Sequence, residues 1–176
     1  MEQVILVNTN DEPQGLMEKM EAHRKGLLHR AFSVFIFNSR GELLLQKRAS
    51  NKYHSAGLWT NTCCSHPREQ ETVIAAAERR LQEEMGFTTP LHKIFDFIYQ
   101  APLENGLTEH EFDHVLVGYY NDSIHPCHQE VAAYRFVAMD ILQEELQQQP
   151  EQFTVWFQIA FAKVYNWWQK QPAFIH

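Results

Sequence analysis

The chain has 176 residues, 44% hydrophobic and 21% charged, with seven glycines and seven prolines. This is the make-up of one globular domain and excludes collagen-like, linker-rich and disordered architectures. Fifteen Lys and Arg against 22 Asp and Glu leave a net charge of −7, which excludes nucleic-acid binding through a global basic field, so an anionic ligand needs local cations or a metal.

Residues 4–7 read as a short strand closed by the turn-rich stretch 8–13. Residues 18–24 read as a helical turn. Two strands follow at 31–37 and 42–48, joined by a hairpin turn at 38–41. A polar, histidine-containing loop then runs from 49 to about 70, and loops of that length inside a compact domain are usually functional. Residues 71–85 form the clearest helix, with Ile74, Ala77, Leu81 and Met85 on one stripe and Gly86 placed to end it. Strands are predicted at 94–99, 111–120 and 131–137, and helices at 140–148 and 154–169, separated by Pro150. The order predicts a single mixed α/β domain over 1–176, a mixed β-sheet core flanked by helices.

Three cysteines, two of them the neighbours Cys63 and Cys64, are too few for a disulfide framework and lack zinc-ribbon spacing, so reduced thiols in a cytoplasmic protein are expected. The first eight residues lack the features of a signal peptide, and no run approaches 18 apolar residues, so no membrane association is expected. A small-molecule ligand, no nucleic-acid partner, and a monomer or weak homodimer complete the expectation.

Within the helix, Glu71, Arg79, Glu83, Glu84, Gly86 and Phe87 match the spacing of the Nudix box, with Ser65 in the place of its glycine and Arg80 in the place of a core glutamate. The chain therefore resembles the Nudix family, and a Nudix-like fold is implied. The exchange removes a metal ligand and adds a cation, which suits holding a diphosphate better than cleaving it. The same helix also reads as a solvated face carrying the pairs Arg79–Glu83 and Arg80–Glu84. His23, His29, His66, Glu109 and Glu111 have the ligand types for Zn²⁺, Mn²⁺ or Mg²⁺. Spacing groups only two of them, since Glu109 and Glu111 share a strand face while His110 points the other way.

Residues 57–67, Gly-Leu-Trp-Thr-Asn-Thr-Cys-Cys-Ser-His-Pro, resemble the signature of the type I isopentenyl diphosphate isomerases, Nudix-fold enzymes that do not hydrolyse their substrate. The resemblance extends through Lys19, His23, His29, Arg48, Lys52, Tyr99, Glu109, Glu111 and Trp156. Ala56 and Asn51 depart from the family's usual proline and serine. The resemblance implies isomerisation of isopentenyl diphosphate to dimethylallyl diphosphate through a carbocation-like state, in isoprenoid biosynthesis. It assigns Cys64 and Glu111 to proton transfer on the two faces of the substrate, Tyr99 to a hydrogen bond near the proton donor, and Trp156 to the wall facing the cation. Cys64 is chosen over Cys63 because the family's thiol lies two residues before the metal-binding histidine. It gives the diphosphate to Lys19, Arg48, Lys52 and Arg80, with Mg²⁺ held by Glu84. A further Zn²⁺, Mn²⁺ or Mg²⁺ falls to His23, His29, His66, Glu109 and Glu111. His54, His92, His110, His114, His125, His128 and His176 receive no role and are expected at the surface. The competing readings are a Nudix hydrolase of a nucleoside or isoprenoid diphosphate and a diphosphate-binding protein without turnover; the latter needs neither Cys64 nor Glu111.

Overall fold

A computed structural model describes residues 1–172; His176 lies outside the described residues. The chain runs β1 (Gln3–Val7), β2 (Pro13–Glu18), α1 (Lys19–Lys25), β3 (His29–Phe37), β4 (Leu43–Arg48), β5 (Trp59–Thr60), β6 (Cys63–Ser65), α2 (Val73–Met85), β7 (His92–Pro102), β8 (Thr108–Tyr119), β9 (Val131–Val137), α3 (Met139–Gln148) and α4 (Val155–Trp168). All of these strands join one mixed sheet. β3 and β8 pair in parallel along their length, while β7 pairs with β8, and β9 with β4, in antiparallel fashion.

β3 is buried on both faces, which is why its sequence is a continuous apolar run rather than an alternation. Phe32, Val34 and Ile36 pack with Ala77, Leu81 and Met85 of α2. Phe35 and Phe37 belong to the opposite cluster, with Leu142 of α3 and Phe157 and Phe161 of α4. The mixed sheet flanked by helices is therefore the architecture observed, with one core on each face.

α2 begins two residues later than the apolar pattern suggested, because Thr72 caps it by accepting from Ala75 N at 3.1 Å. Its stripe is also shifted: Ile74 is exposed and Ala76 is buried. Gly86 ends it at φ 77°, and a Cβ there would lie 2.1 Å from the His125 carbonyl oxygen. No other residue fits that approach. α1 is capped by the Glu18 carboxylate, which accepts from Met20 N and Glu21 N.

Three strands were not legible in the pattern. β2 begins at Pro13, where a turn was expected, and pairs with β1. β5 and β6 are short strands inside the expected loop, held by pairing rather than by propensity. β3 and β8 begin before their apolar segments, and these extensions carry His29 and Glu109. Among the described residues, no helix is long and apolar enough to cross a membrane.

Candidate active site

Strand register gathers the first group of residues. Glu111 of β8 stands opposite His29 of β3 on one side and opposite Tyr99 of β7 on the other. Glu109 lies two residues earlier on the same face, and both carboxylates are buried. α1 brings His23 so that its Nε2 lies 2.7 Å from Glu109 Oε1. The loop after β6 places His66 Nε2 at 3.0 Å from Glu111 Oε1. His29 Nε2 sits 3.7 Å from one oxygen of each glutamate. The ligand atoms of His23, His29, His66 and Glu109 all lie within 4.8 Å of one another.

The donor set suits a divalent cation. His23 Nδ1 lies 2.6 Å from the Lys19 carbonyl oxygen, and His29 Nδ1 2.8 Å from that of Leu27. Each Nδ1 donates its proton there, so Nε2 faces the carboxylates either as a ligand for a cation or, with a second proton on the ring, as their donor. His23 Nε2, His29 Nε2 and Glu109 Oε1 are buried without a hydrogen-bond partner among the described residues. A shared proton or a cation must neutralise such facing lone pairs. Burial pushes Glu109 up to about 7, assisted by the neighbouring Glu111 charge. Burial acts on Glu111 in the same sense, but the imidazoles of His29 and His66 outweigh it and hold that carboxyl well below the usual range. Burial brings His66 down to about 4, so its ring is neutral at pH 7.

The adjacent thiols part company by strand alternation. β6 pairs Cys63 with Val34 and Cys64 with Ser33, which places them on opposite faces. Cys63 is fully buried in the core beneath α2. Cys64 lines a cavity of about 920 Å³ that also receives His23, His66, Tyr99, Glu109 and Glu111. Its Sγ accepts from Trp156 Nε1 at 3.2 Å and lies 3.1 Å from Asn61 Oδ1. Burial pushes the Cys64 thiol up to about 12, with the Asp113 carboxyl nearby adding to the effect. Trp156 is itself buried at the start of α4.

Cations collect elsewhere in the same cavity. Lys19, Arg48, Lys52 and Arg80 all line it, together with Glu84. Arg80 donates to Glu83 at 2.6 Å and also to Glu84, while Arg79 holds Glu71 through two hydrogen bonds of 2.6 and 2.8 Å. The ion-paired helix face and the cavity-facing cation are thus one arrangement. Glu84 is buried and is fixed by Gln46 Nε2 at 2.8 Å. The cations are not bare: Lys19 pairs with Glu2 at 3.1 Å, and Lys52 pairs with Glu130.

The NUDIX domain model matches residues 27–157. An isopentenyl-diphosphate Delta-isomerase from Pectobacterium atrosepticum is 52% identical over 169 residues, covering 95% of this chain and 93% of that protein. One from Burkholderia multivorans is 53% identical over 156 residues, covering 89% of each. The chain belongs to the isopentenyl-diphosphate Delta-isomerase family. The crystal structure of DR0079 from Deinococcus radiodurans, at 18% identity, superposes with a TM-score of 0.78 over 93% of this chain and 99% of that one, which shows the shared fold.

Two histidines expected at the surface of this isomerase-family chain are buried. His54 is 6% exposed, lines the cavity, and stacks with His23 at 6.0 Å between ring centroids. His114 is 7% exposed and contacts Asp11 Oδ2 at 2.9 Å. His110 is half-buried, with Nδ1 2.9 Å from the Gly26 carbonyl oxygen, whereas His92, His125 and His128 are exposed as expected. The residues that organise Cys64 were also missed: Asn61, Ser33 and Asp113 are buried around it. Asn61 stands three residues before the thiol, but nothing in its spacing indicates where the amide points. Ser33 and Asp113 reach the thiol only through the pairing of β3 with β6 and β8.

Proposed function

We propose that the chain converts isopentenyl diphosphate into dimethylallyl diphosphate, the step of isoprenoid biosynthesis for which its relatives are named. The observation that carries this reading is one cavity holding two chemistries, a half-buried thiol with a buried carboxylate, and a set of cations beside Glu84. Lys19, Arg48, Lys52 and Arg80 are the residues that would bind the diphosphate, and Glu84 the carboxylate that would hold an accompanying Mg²⁺, which would supply further positive charge there. This neutralises the anion locally on a chain whose net charge is −7.

The reaction adds one proton to the terminal alkene carbon and removes one from the carbon on the far side of the tertiary centre. Cys64 rests as a thiol because burial pushes it up to about 12, and Glu111 rests as a carboxylate because the imidazoles around it hold it low. These states fit Cys64 as the acid on one face and Glu111 as the base on the other. Tyr99, whose hydroxyl donates to Glu111 Oε2 at 2.7 Å, is bonded to the base rather than to the proton donor near which the resemblance put it, and fixes the carboxylate's orientation. The Trp156 indole faces the developing cation and its N–H steadies the sulfur; such a face stabilises nearby positive charge by about 0.5–2 kcal/mol. His23, His29, His66, Glu109 and Glu111 would hold a divalent ion, Zn²⁺, Mn²⁺ or Mg²⁺, which would supply positive charge to keep the buried carboxylates ionised. The free thiols of Cys63, Cys64 and Cys127 suit the reducing cytoplasm.

Incubation with isopentenyl diphosphate and Mg²⁺ in heavy water tests the reading. Deuterium enters the allylic product and the diphosphate stays intact. Release of phosphate instead identifies a hydrolase, and no reaction identifies a binding protein; either result overturns the proposal. Cys64→Ala and Glu111→Gln each lose about 10²–10⁴-fold in kcat, whereas Cys63→Ala keeps most activity.

A further inference from the structure

Three contacts hold the Cys64 sulfur: Trp156 Nε1 at 3.2 Å, Asn61 Oδ1 at 3.1 Å and Ser33 Oγ at 3.7 Å. The indole N–H is a donor, so the S–H hydrogen has two places to go. Ser33 gives its own hydrogen to Asp113 Oδ2 at 2.7 Å and offers the thiol only the longer contact. Asn61 is the nearer acceptor, and its orientation is fixed. Its Nδ2 donates to the carbonyl oxygens of Val34 at 3.1 Å and Cys63 at 3.0 Å. Turning the amide over would bring Oδ1 against those two oxygens, so Oδ1 must face the sulfur.

The frame around Asn61 is equally tied down. Thr60 Oγ1 donates to Asn61 Oδ1 at 3.0 Å and lies 2.9 Å from the hydroxyl of Thr154, which sits at the N-cap of α4. Two residues further on, Trp156 closes the ring back onto the sulfur. On the other side, Thr62 Oγ1 donates to the Leu44 carbonyl at 2.6 Å, and the Thr62 carbonyl accepts from Gln46 Nε2 at 2.7 Å. The short segment carrying Asn61 is thus bonded through side chains into two strands and the start of a helix. Such a frame holds a reacting group by supporting hydrogen bonds rather than by its own rotamer preference.

We infer that Asn61 is a positioning residue, clamping the Cys64 thiol opposite Trp156 so that its sulfur faces the cavity in one orientation. Asn61 is fully buried and does not line the cavity, so it acts through Cys64 and not on substrate. The inference rests on the reading of Cys64 as a proton-transfer group.

The test combines steady-state kinetics with the infrared S–H stretch of Cys64, assigned by difference against Cys64→Ala. Asn61→Ala lowers kcat by about 10²-fold and leaves KM within about twofold, the cost of a misplaced reacting group. Its S–H band moves toward that of a free thiol. Wild-type kcat with an unmoved band in Asn61→Ala overturns the inference. Full turnover by Cys64→Ala would instead overturn the reading of Cys64 itself. If Asn61→Ala does not fold, Thr60→Val decides. Its missing hydroxyl leaves Asn61 Oδ1 to the thiol alone, and the band moves further to the hydrogen-bonded side. An unmoved band in Thr60→Val again overturns the inference.

Discussion

Tyr99 and Glu111 face each other across the β7–β8 pairing, and the tyrosine hydroxyl donates to Glu111 Oε2 at 2.7 Å. The other oxygen, Oε1, is taken by the imidazole side, with His66 Nε2 at 3.0 Å. The two oxygens of one carboxylate therefore have separate duties, one toward the histidine cluster and one toward the tyrosine. Burial and the Glu111 charge push the Tyr99 hydroxyl well above its ordinary range, so it stays a donor throughout the working pH range. Tyr99→Phe leaves Glu111 Oε2 without its donor. We expect kcat to fall by about 10²-fold with KM little changed; an equal change in KM would point to substrate binding instead.

Removing divalent ions should destabilise the fold as well as stop turnover. His23, His29, His66 and Glu109 are buried with their ligand atoms converging, and an ion at about 100 times its Kd contributes about 2.7 kcal/mol. For a chain of this length that corresponds to a Tm lower by about 5–10 °C after dialysis against a chelator. Differential scanning calorimetry with and without added Zn²⁺, Mn²⁺ and Mg²⁺ reads the loss and ranks the ions. Unchanged Tm after verified metal removal would refute a structural ion at this cluster.

Arg80 is held by Glu83 and Glu84 yet lines the cavity. Arg80→Ala should raise KM about tenfold or more, because a charge-assisted contact to diphosphate is lost. Its effect on Tm should be small, since Glu83 is exposed and the buried Glu84 keeps its hydrogen bond from Gln46 Nε2. Parallel losses of stability and activity would assign Arg80 to the ion pairs alone.

Glu71, which does not itself line the cavity, provides a pH signature of its own. The Arg79 guanidinium and the Arg68 backbone N–H outweigh its partial burial and lower it from 4.5 to about 2. A carboxyl depressed on folding adds stability that is fully present above about pH 4.5 and is lost as pH falls toward 2. The pair remains partly open to water, so about 1 kcal/mol is the expected size. Urea unfolding from pH 6 to pH 2.5 should show this slope in the parent chain and a weaker one in Glu71→Gln.

Much of this was written in local sequence. The apolar run at 31–37 announced the strand β3, and the three- and four-residue spacing before Gly86 announced α2, because side-chain burial in a regular element repeats with that element's period. The ligand inventory was legible as residue types and as a family signature. Its assembly was not, since His23, His29, His66 and Glu109 converge only through the parallel register of β3 and β8 and the placement of α1. The burial of His54 belongs to the same class: a polar loop residue is drawn inside by Trp156 and His23, which are distant in sequence. The neighbouring thiols draw the line most sharply. The family resemblance singled out Cys64, but sequence carries no physical reason why one of two adjacent cysteines should face the cavity. That was decided when β6 paired with β3 in a register that sends alternate residues to opposite faces, leaving Cys63 in the core and Cys64 against Asn61 and Trp156.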